Sequence, residues 1–306
     1  MPTAAAGVSE PGDAGAAGSP GAEVTRTPDV GLARWSLPRV SLPELIDAAA
    51  GAGFHRITVD PSTVLAALRD GWTEDAIRRR LATADLEVTM IDALSNADLP
   101  GVPEVGPTQL GPGEHVDAEA GFRAARILRC PRLNLSHYSG DAAVPLRRLA
   151  AAVGELCRRA ADHGLSICVE FIPGTGIPDL GSALAIVEGC HADNVGIVLD
   201  VFHHARSGGP VSDVRSLAPG LITAVQLSDR IAPVQDAPHV PLTGRLLPGD
   251  GDLPLAELLD AAMGNNPSAT VDIEVLSGEI RSLGPAAAAA VLGEGLRRWI
   301  ATLPPM

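Results

Sequence analysis

Short aliphatic runs alternate along the chain with longer runs in which apolar residues recur at helical spacing, and this alternation begins near residue 31. The pattern predicts βα units built around a parallel sheet. The predicted strands are Leu32–Leu37, Arg56–Asp60, Val88–Leu94, Arg132–Tyr138, Ser166–Ile172, Val195–Phe202, Ile222–Ser228 and Thr270–Leu276. The predicted helices are Leu42–Ala52, Glu74–Ala84, Ala118–Leu128, Pro145–His163, Leu180–Cys190, Val211–Leu217, Leu253–Met263 and Pro285–Ile300.

This succession of strands and helices fits a closed (β/α)8 TIM barrel of about 250 residues. The first helix has clear boundary signals, because Ser41 and Glu44 form a capping-box pattern and Gly53 follows its end. A doubly wound open sheet also consists of βα units, but it predicts a glycine-rich dinucleotide turn after the first strand. The run Ser36–Arg39 stands there instead, so the closed barrel is favoured.

The barrel is predicted to occupy residues 29–306 as a single domain. Residues 1–28 are rich in Ala, Gly, Pro and Ser, and they lack the basic start and apolar stretch of a secretory signal. We expect this segment to be a disordered tail. The widely spaced cysteines, none of them in a Cys-x-x-Cys pair, are typical of buried thiols in a reducing compartment. The expected location is therefore the cytoplasm.

The charge of the chain restricts its partners. The formal net charge is −14 and no basic patch is evident, so a nucleic-acid partner is not expected. No apolar run approaches the length of a membrane span, and no membrane partner is expected either. A small-molecule substrate remains as the expected partner.

Four late strands end on a polar side chain that interrupts an aliphatic run, and these residues are Glu170, Asp200, Gln226 and Glu274. Barrel enzymes carry their chemistry at the carboxyl ends of the strands. A buried charge there costs several kcal/mol unless it is neutralised, and one divalent cation can neutralise several carboxylates. An oxygen-rich set suits Mg²⁺, Mn²⁺ or Co²⁺ better than structural zinc. The alternative is that each carboxylate caps the next helix or pairs with an arginine, and this reading is favoured for Asp229 and Asp272.

In this order the motifs resemble the xylose isomerase-like barrel superfamily, in particular its sugar-phosphate isomerase/epimerase-like group. Val169–Glu170 is similar to the family's Leu-Glu motif, and Leu199–His203 to its Leu-Asp-x-x-His motif. Val225–Asp229 and Arg245–Gly251 are similar to its seventh-strand and loop signature, and Ile273–Glu274 to its closing Glu. The resemblance covers residues 30 to 302, and dimers or tetramers would be compatible with it.

The resemblance implies that the four strand-end residues hold one divalent metal ion, while His203 and Arg245 contact the oxygens of the substrate. Many members have His where this chain has Gln226. Gln at this place is a feature of hydroxypyruvate isomerase-like and 3-dehydroshikimate dehydratase-like members, and it makes the site less suited to zinc. The metal would polarise a carbonyl, and Glu170 and Glu274 would act as the acid/base pair.

Removal of a proton next to the metal-polarised carbonyl would give an enediolate, and two reactions can follow from it. Return of the proton to a neighbouring carbon or to the opposite face gives isomerisation or epimerisation, whereas departure of a β-hydroxyl gives dehydration. We expect the isomerase or epimerase, with the dehydratase as the alternative. A non-catalytic barrel that binds a small molecule or a partner is a third hypothesis. A DNA-repair endonuclease is disfavoured, because it would need a His-rich zinc cluster and a basic face.

Several further residues are candidates for the pocket. His203 is a candidate base in the dehydratase case, or it fills the shell at the strand end. His137 is either a pocket residue or a polar strand terminus, and Trp35 with Phe171 form either an apolar wall or part of the core. Specificity is expected from the loops Ser95–Val116 and Arg230–Asp252. The second loop contains an insertion that is either a lid or an ordinary turn.

Overall fold

A computed structural model of the chain describes residue 1 and residues 29–96, 98–102, 116–138, 141–231 and 244–304. The predicted tail, apart from Met1, and much of the two predicted specificity loops lie outside the described residues. Eight parallel strands hydrogen-bond in sequence order, and the first pairs with the last to close the barrel. The strands are β1 Val30–Leu32, β2 Arg56–Val59, β3 Glu87–Ser95, β4 Arg132–Ser136, β5 Ser166–Glu170, β6 Val195–Asp200, β7 Ile222–Leu227 and β8 Thr270–Ile273. The predicted (β/α)8 TIM barrel is confirmed.

Helices surround this barrel within the described ranges. They are α1 Leu42–Gly51, α2 Pro61–Arg69, α3 Glu74–Thr83, α4 Ala118–Leu128, α5 Leu146–Ala161, α6 Leu180–Gly189, α7 Val201–Arg206, α8 Val211–Arg215, α9 Leu255–Asn265, α10 Gly278–Ser282 and α11 Pro285–Ile300. The predicted capping box at Ser41 and Glu44 is present at the start of α1. None of the helices in the described part of the chain has the length and apolarity that a membrane crossing requires.

The first strand differs from its prediction over Leu32–Leu37. It covers Val30–Leu32, and a 3₁₀ turn follows at Arg34–Ser36. The turn forms because Ser36 exchanges hydrogen bonds with the last strand through its side chain: its hydroxyl donates to the carbonyl of Ile273 at 3.1 Å and accepts from the amide of Val275 at 2.9 Å. The chain therefore leaves the sheet after Leu32 and brings Trp35 over the barrel end.

Three helices of the described ranges, α2, α7 and α10, were not predicted from the sequence. Asp60 caps α2 through its side chain, and Pro61 occupies the first helical position, where proline is well tolerated. The predicted sixth strand, Val195–Phe202, is too long. Asp200 ends β6 and accepts hydrogen bonds from the amides of Phe202 and His203, which lie in the first turn of α7.

The apolar core lies mainly between the strands and the helices, because alternate strand residues face outward. A small second cluster fills the barrel interior, and it consists of Met90, Cys168, Val198 and Ala224. All four cysteines are buried and free. Gly31 of β1 is required by close packing, since a Cβ there would lie 2.2 Å from Oδ1 of Asp272.

Candidate metal centre

The four predicted ligand residues meet at the carboxyl end of the barrel. Glu170 and Asp200 are the last residues of β5 and β6, and Asp200 lies beside Gln226 in the register of β6 with β7. Glu274 directly follows β8. All four side chains are buried, with exposures of 6%, 1%, 0% and 5% in chain order. Burial of three carboxylates in one place requires a compensating positive charge.

Asp200 uses its two oxygens for different purposes. Oδ1 caps α7, as the alternative reading of strand-end carboxylates expected, whereas Oδ2 faces the site. His203 stands in the first turn of α7 rather than on a strand end. Its Nε2 lies 3.5 Å from Oδ2 of Asp200 and 3.8 Å from Oε1 of Glu170. Glu170, Asp200 and His203 each offer one ligand atom within 4.8 Å of the others, so this trio could hold a metal ion.

Arg245 supplies a buried cation at the same place. Its guanidinium lies 2.8 Å from Oδ2 of Asp200 and 3.1 Å from Oε2 of Glu274. It also donates to the carbonyl of Glu274 and lies 3.3 Å from Nε2 of His203. The predicted substrate contacts Arg245 and His203 are thus brought together with the predicted ligands.

The loop that carries Arg245 is fastened by Asp229. This carboxylate accepts hydrogen bonds from the amides of Gly249, Gly251 and Leu253. A Cβ on Gly251 would come within 2.4 Å of Oδ1 of Asp229, so this glycine allows a close approach. The hydrogen bonds of Asp229 thus hold this loop, and the expectation that it is not a ligand stays a prediction.

Arg245 helps to lower the pKa of Asp200 but does not offset the effect of burial at Glu170 and Glu274. Burial, together with the charges of Asp92 and Asp200, raises the pKa of Glu170 to about 8. Burial also raises the pKa of Glu274, against the attraction of Arg245. For Asp200, burial opposes ionisation, but Arg245 and His203 outweigh it and its pKa is lowered. A divalent cation at this place would favour the ionised form of both glutamates.

The donor set fits such a cation. Oε1 of Gln226 is buried and has no hydrogen-bond partner among the residues the structure describes, which is a costly state for a carbonyl oxygen. Amide and carboxylate oxygens are the ligands of hard divalent cations. Glu170, Asp200, Gln226 and Glu274 are therefore suited to the ion that the sequence predicts, and His203 adds a nitrogen donor at the edge of the same site.

A cavity opens on this centre, and predicted and unpredicted residues both line it. Trp35, Glu170, His203, Arg245 and Glu274 form part of its wall. The indole of Trp35 is fixed there, since its Nε1 donates to the carbonyl of Asp92 at 2.7 Å. The wall also includes Asp92, Ser136 and Tyr138, which were not among the predicted site residues.

Phe171 and His137 are placed away from this cavity. Strand residues alternate between the two faces of the sheet, so Phe171 points outward next to the inward Glu170, and its ring packs edge-on against His204. Nε2 of His137 lies 3.0 Å from the carbonyl of Pro100, and its ring lies so close to Gly176 that a Cβ there would collide with it. Neither ring is part of the described cavity wall, and a substrate contact from either stays a prediction.

Besides Ser136 and Tyr138, two polar residues of the site were not predicted from the sequence. Asp92 lies on β3 and Asn134 on β4, each in an aliphatic run, which is the same signal that marked the late strands. Asp92 accepts hydrogen bonds from Asn134 at 2.7 Å and from Gln226 at 3.0 Å. Asn134 also donates to Oε2 of Glu170 at 2.6 Å. The site thus extends from β3 to the end of β8.

Fold and site together define a class of protein: a closed parallel barrel with a buried, oxygen-rich centre at the carboxyl ends of its strands. A family model described as xylose isomerase-like TIM barrel matches residues 46–301. The chain belongs to this family, as the motifs indicated.

Proteins similar to the chain include two curated relatives and a solved structure. An inosose isomerase from Halalkalibacterium halodurans is 31% identical over 133 residues, which are 42% of this chain and 46% of that protein. A 3-dehydroshikimate dehydratase from Pseudomonas aeruginosa is 26% identical over 258 residues, covering 84% of this chain and 39% of that protein. The chain therefore matches less than half the length of either relative.

The solved structure is that of an IOLI protein with a bound zinc atom. It aligns with a TM-score of 0.76 at 17% identity and covers 91% of this chain and 100% of its own. At this level of identity the likeness shows the fold alone. It agrees with the closed barrel described above.

Proposed function

We propose that the chain is a divalent-metal-dependent isomerase or epimerase that acts on a small sugar, polyol or hydroxy-keto compound by moving a proton next to a carbonyl. One observation carries this proposal: two buried glutamates, Glu170 and Glu274, face one cavity around Asp200 and His203. Such a pair can remove and return a proton on a substrate held between them. The similarity to an inosose isomerase supports the same reaction type.

The metal would be held by Glu170, Asp200, Gln226 and Glu274. When bound, it would polarise the substrate carbonyl and stabilise negative charge on the carbonyl oxygen. Mn²⁺, Mg²⁺ and Co²⁺ are preferred to Zn²⁺ because the donors are mainly oxygen atoms. The nitrogen of His203 is the one feature of the site that would favour a softer ion.

The other residues have roles that follow from their contacts. Oε2 of Glu170 accepts the Asn134 hydrogen bond, which leaves Oε1 as the oxygen that can accept a proton once a bound cation keeps this glutamate ionised. Arg245 is bonded to Glu274 and lines the cavity, so it can hold a substrate oxygen close to that glutamate. Trp35 would form one apolar wall and exclude water from the reacting carbon.

Solvent isotope exchange tests the proposal. The chelator-stripped protein is loaded with Mn²⁺ or Co²⁺ in D₂O and given ketoses, inososes and 3-dehydroshikimate, and deuterium next to the carbonyl is followed by NMR. We expect exchange with one substrate class that requires metal and falls at least ~100-fold in Glu170→Gln and in Glu274→Gln. Glu257→Gln, an exposed change on α9, is the matched control. Metal-loaded protein that exchanges no proton with any of them would refute the proposal.

Dehydration is the second candidate. Gln226 and the similarity to a 3-dehydroshikimate dehydratase over 84% of the chain favour it. The same exchange experiment separates the two reactions, because a dehydratase releases water and forms a new C=C bond, whereas an isomerase conserves the formula of its substrate. Mass spectrometry of the products decides between them.

A further inference from the structure

The carboxylate of Asp92 lies between two amide side chains in the barrel interior. Oδ2 accepts from Nε2 of Gln226 at 3.0 Å, and Oδ1 accepts from Nδ2 of Asn134 at 2.7 Å. An ionised carboxylate can only accept hydrogen bonds, so Gln226 must turn its nitrogen toward Asp92. Its oxygen then has to point the other way, and Oε1 is the buried atom without a partner in the described part of the chain.

Asn134 transmits the same constraint to a second ligand. Its Nδ2 also donates to Oε2 of Glu170 at 2.6 Å. This bond occupies one oxygen of Glu170, while Oε1 remains on the side of His203, 3.8 Å from Nε2. A continuous chain of hydrogen bonds thus runs from Gln226 through Asp92 and Asn134 to Glu170.

We propose that Asp92 and Asn134, here called the amide clamp, are positioning residues that determine which oxygen atoms of Gln226 and Glu170 face the metal. The proposal rests on the metal site of the proposed function. An amide ligand needs such a partner more than a carboxylate does, because its two ends differ: the oxygen can bind a cation and the NH₂ group cannot. Partners of this kind orient ligands in metal sites generally.

A direct ligand role for Asp92 is disfavoured by the same contacts. Both of its oxygens already accept an amide N–H, and the side chain is only 2% exposed. Its negative charge adds to those of Glu170, Asp200 and Glu274, with Arg245 as the one cation among these five residues. The amide clamp therefore contributes orientation and charge while leaving the ligand positions to the other residues.

Exchange of the hydrogen-bond donor and acceptor between residues 92 and 226 tests the amide clamp. Asp92→Asn replaces one of the two acceptor oxygens with an NH₂ group, so Gln226 and Asn134 no longer each have an oxygen of residue 92 to donate to. An NH₂ group that faces Gln226 favours the wrong orientation of its amide. Gln226→Glu alone places a carboxylate against Asp92. The two changes together keep the net charge and exchange donor and acceptor, so that one oxygen at position 226 faces the ion again. Dissociation constants for Mn²⁺ and Co²⁺ are measured by calorimetry on chelator-stripped protein, with the Co²⁺ absorption spectrum and the Tm of the metal-free protein alongside.

We expect Asp92→Asn to weaken binding ~10- to 100-fold, Gln226→Glu to weaken it as well, and the double variant to bind within a few-fold of the parent. Asp272→Asn is the control for loss of a buried carboxylate that makes no ligand contact, and it should leave affinity within a few-fold. If Asp92 and Gln226 had merely structural roles, the losses of metal affinity in the two single variants would add up in the double variant. Recovered affinity in the double variant therefore supports the clamp.

Two results would overturn the clamp: wild-type affinity and spectrum in Asp92→Asn, or a folded double variant that binds no better than either single variant. If Asp92→Asn does not fold, Asn134→Ser removes the amide that donates to both Asp92 and Glu170, and unchanged affinity in that variant refutes the clamp. Parent protein that binds neither ion would refute the metal site itself, and thus the proposed function, whereas tight binding by the parent together with unchanged variants refutes only the clamp.

Discussion

Asp272 provides a quantitative test of the charge balance inside the barrel. It is fully buried on β8, and neither of its oxygens has a hydrogen-bond partner among the described residues. Thr89 lies beside it, but the hydroxyl of Thr89 donates to the carbonyl of Ile57. Burial, and then the negative charge of Asp92, raise the pKa of Asp272 to about 7.

The sign of the effect follows from linkage. Aspartate in an unfolded chain has a pKa of about 3.9, so the native protein holds this proton more tightly than the unfolded chain does. Stability is therefore lost as the pH rises from the unfolded to the native pKa. A difference of about three pKa units at ~1.4 kcal/mol each corresponds to about 4 kcal/mol of destabilisation above neutral pH.

The variant Asp272→Asn removes this titration. We expect it to be more stable than the parent above neutral pH, with an advantage that grows by about 3 kcal/mol between about pH 5 and about pH 8. Urea denaturation of chelator-stripped protein measures the difference, and Asp47→Asn on the exposed side of α1 is the control. Stability curves of parent and Asp272→Asn that run parallel across this range would refute the reasoning.

Two further predictions concern the same interior. Arg245→Met leaves Asp200 and Glu274 without their buried cation and should lower stability by ~3–5 kcal/mol, with Mn²⁺ restoring part of it; an unchanged Tm without metal would contradict this. Gly31→Ala places a Cβ 2.2 Å from Oδ1 of Asp272 and should cost ~1–3 kcal/mol in urea denaturation. Adding Asp272→Ala should recover part of that loss, and strictly additive losses would show that the clash is not its cause.

The barrel was predictable because hydrophobic periodicity reports burial directly. The errors occur where side chains replace backbone pairing. Ser36 exchanges its hydrogen bonds with the last strand through its hydroxyl, so β1 ends at Leu32, and Asp200 caps α7, so β6 ends two residues early. Such contacts depend on which strands are neighbours in space, and a pattern along one chain does not contain that information.

The candidate site also contains residues that the sequence predicted and residues that it did not. Acidic and amide residues at the ends of the late strands could be found from sequence because a charge in an aliphatic run requires compensation. Asp92 carries the same signal on β3, but nothing local indicates that its carboxylate reaches Gln226, 134 residues away along the chain. Strand alternation predicts that Phe171 faces away from Glu170, and its ring packs against His204.

Metal binding by the stripped protein tests the central claim most directly. Mn²⁺ and Co²⁺ are titrated into chelator-treated chain and bound metal is measured by elemental analysis after gel filtration. We expect about one ion per chain in the parent, and strong loss of binding in Asp200→Asn, because Oδ2 of Asp200 faces the site. Less than about a tenth of an ion per chain with Mn²⁺, Co²⁺ and Mg²⁺ would contradict it.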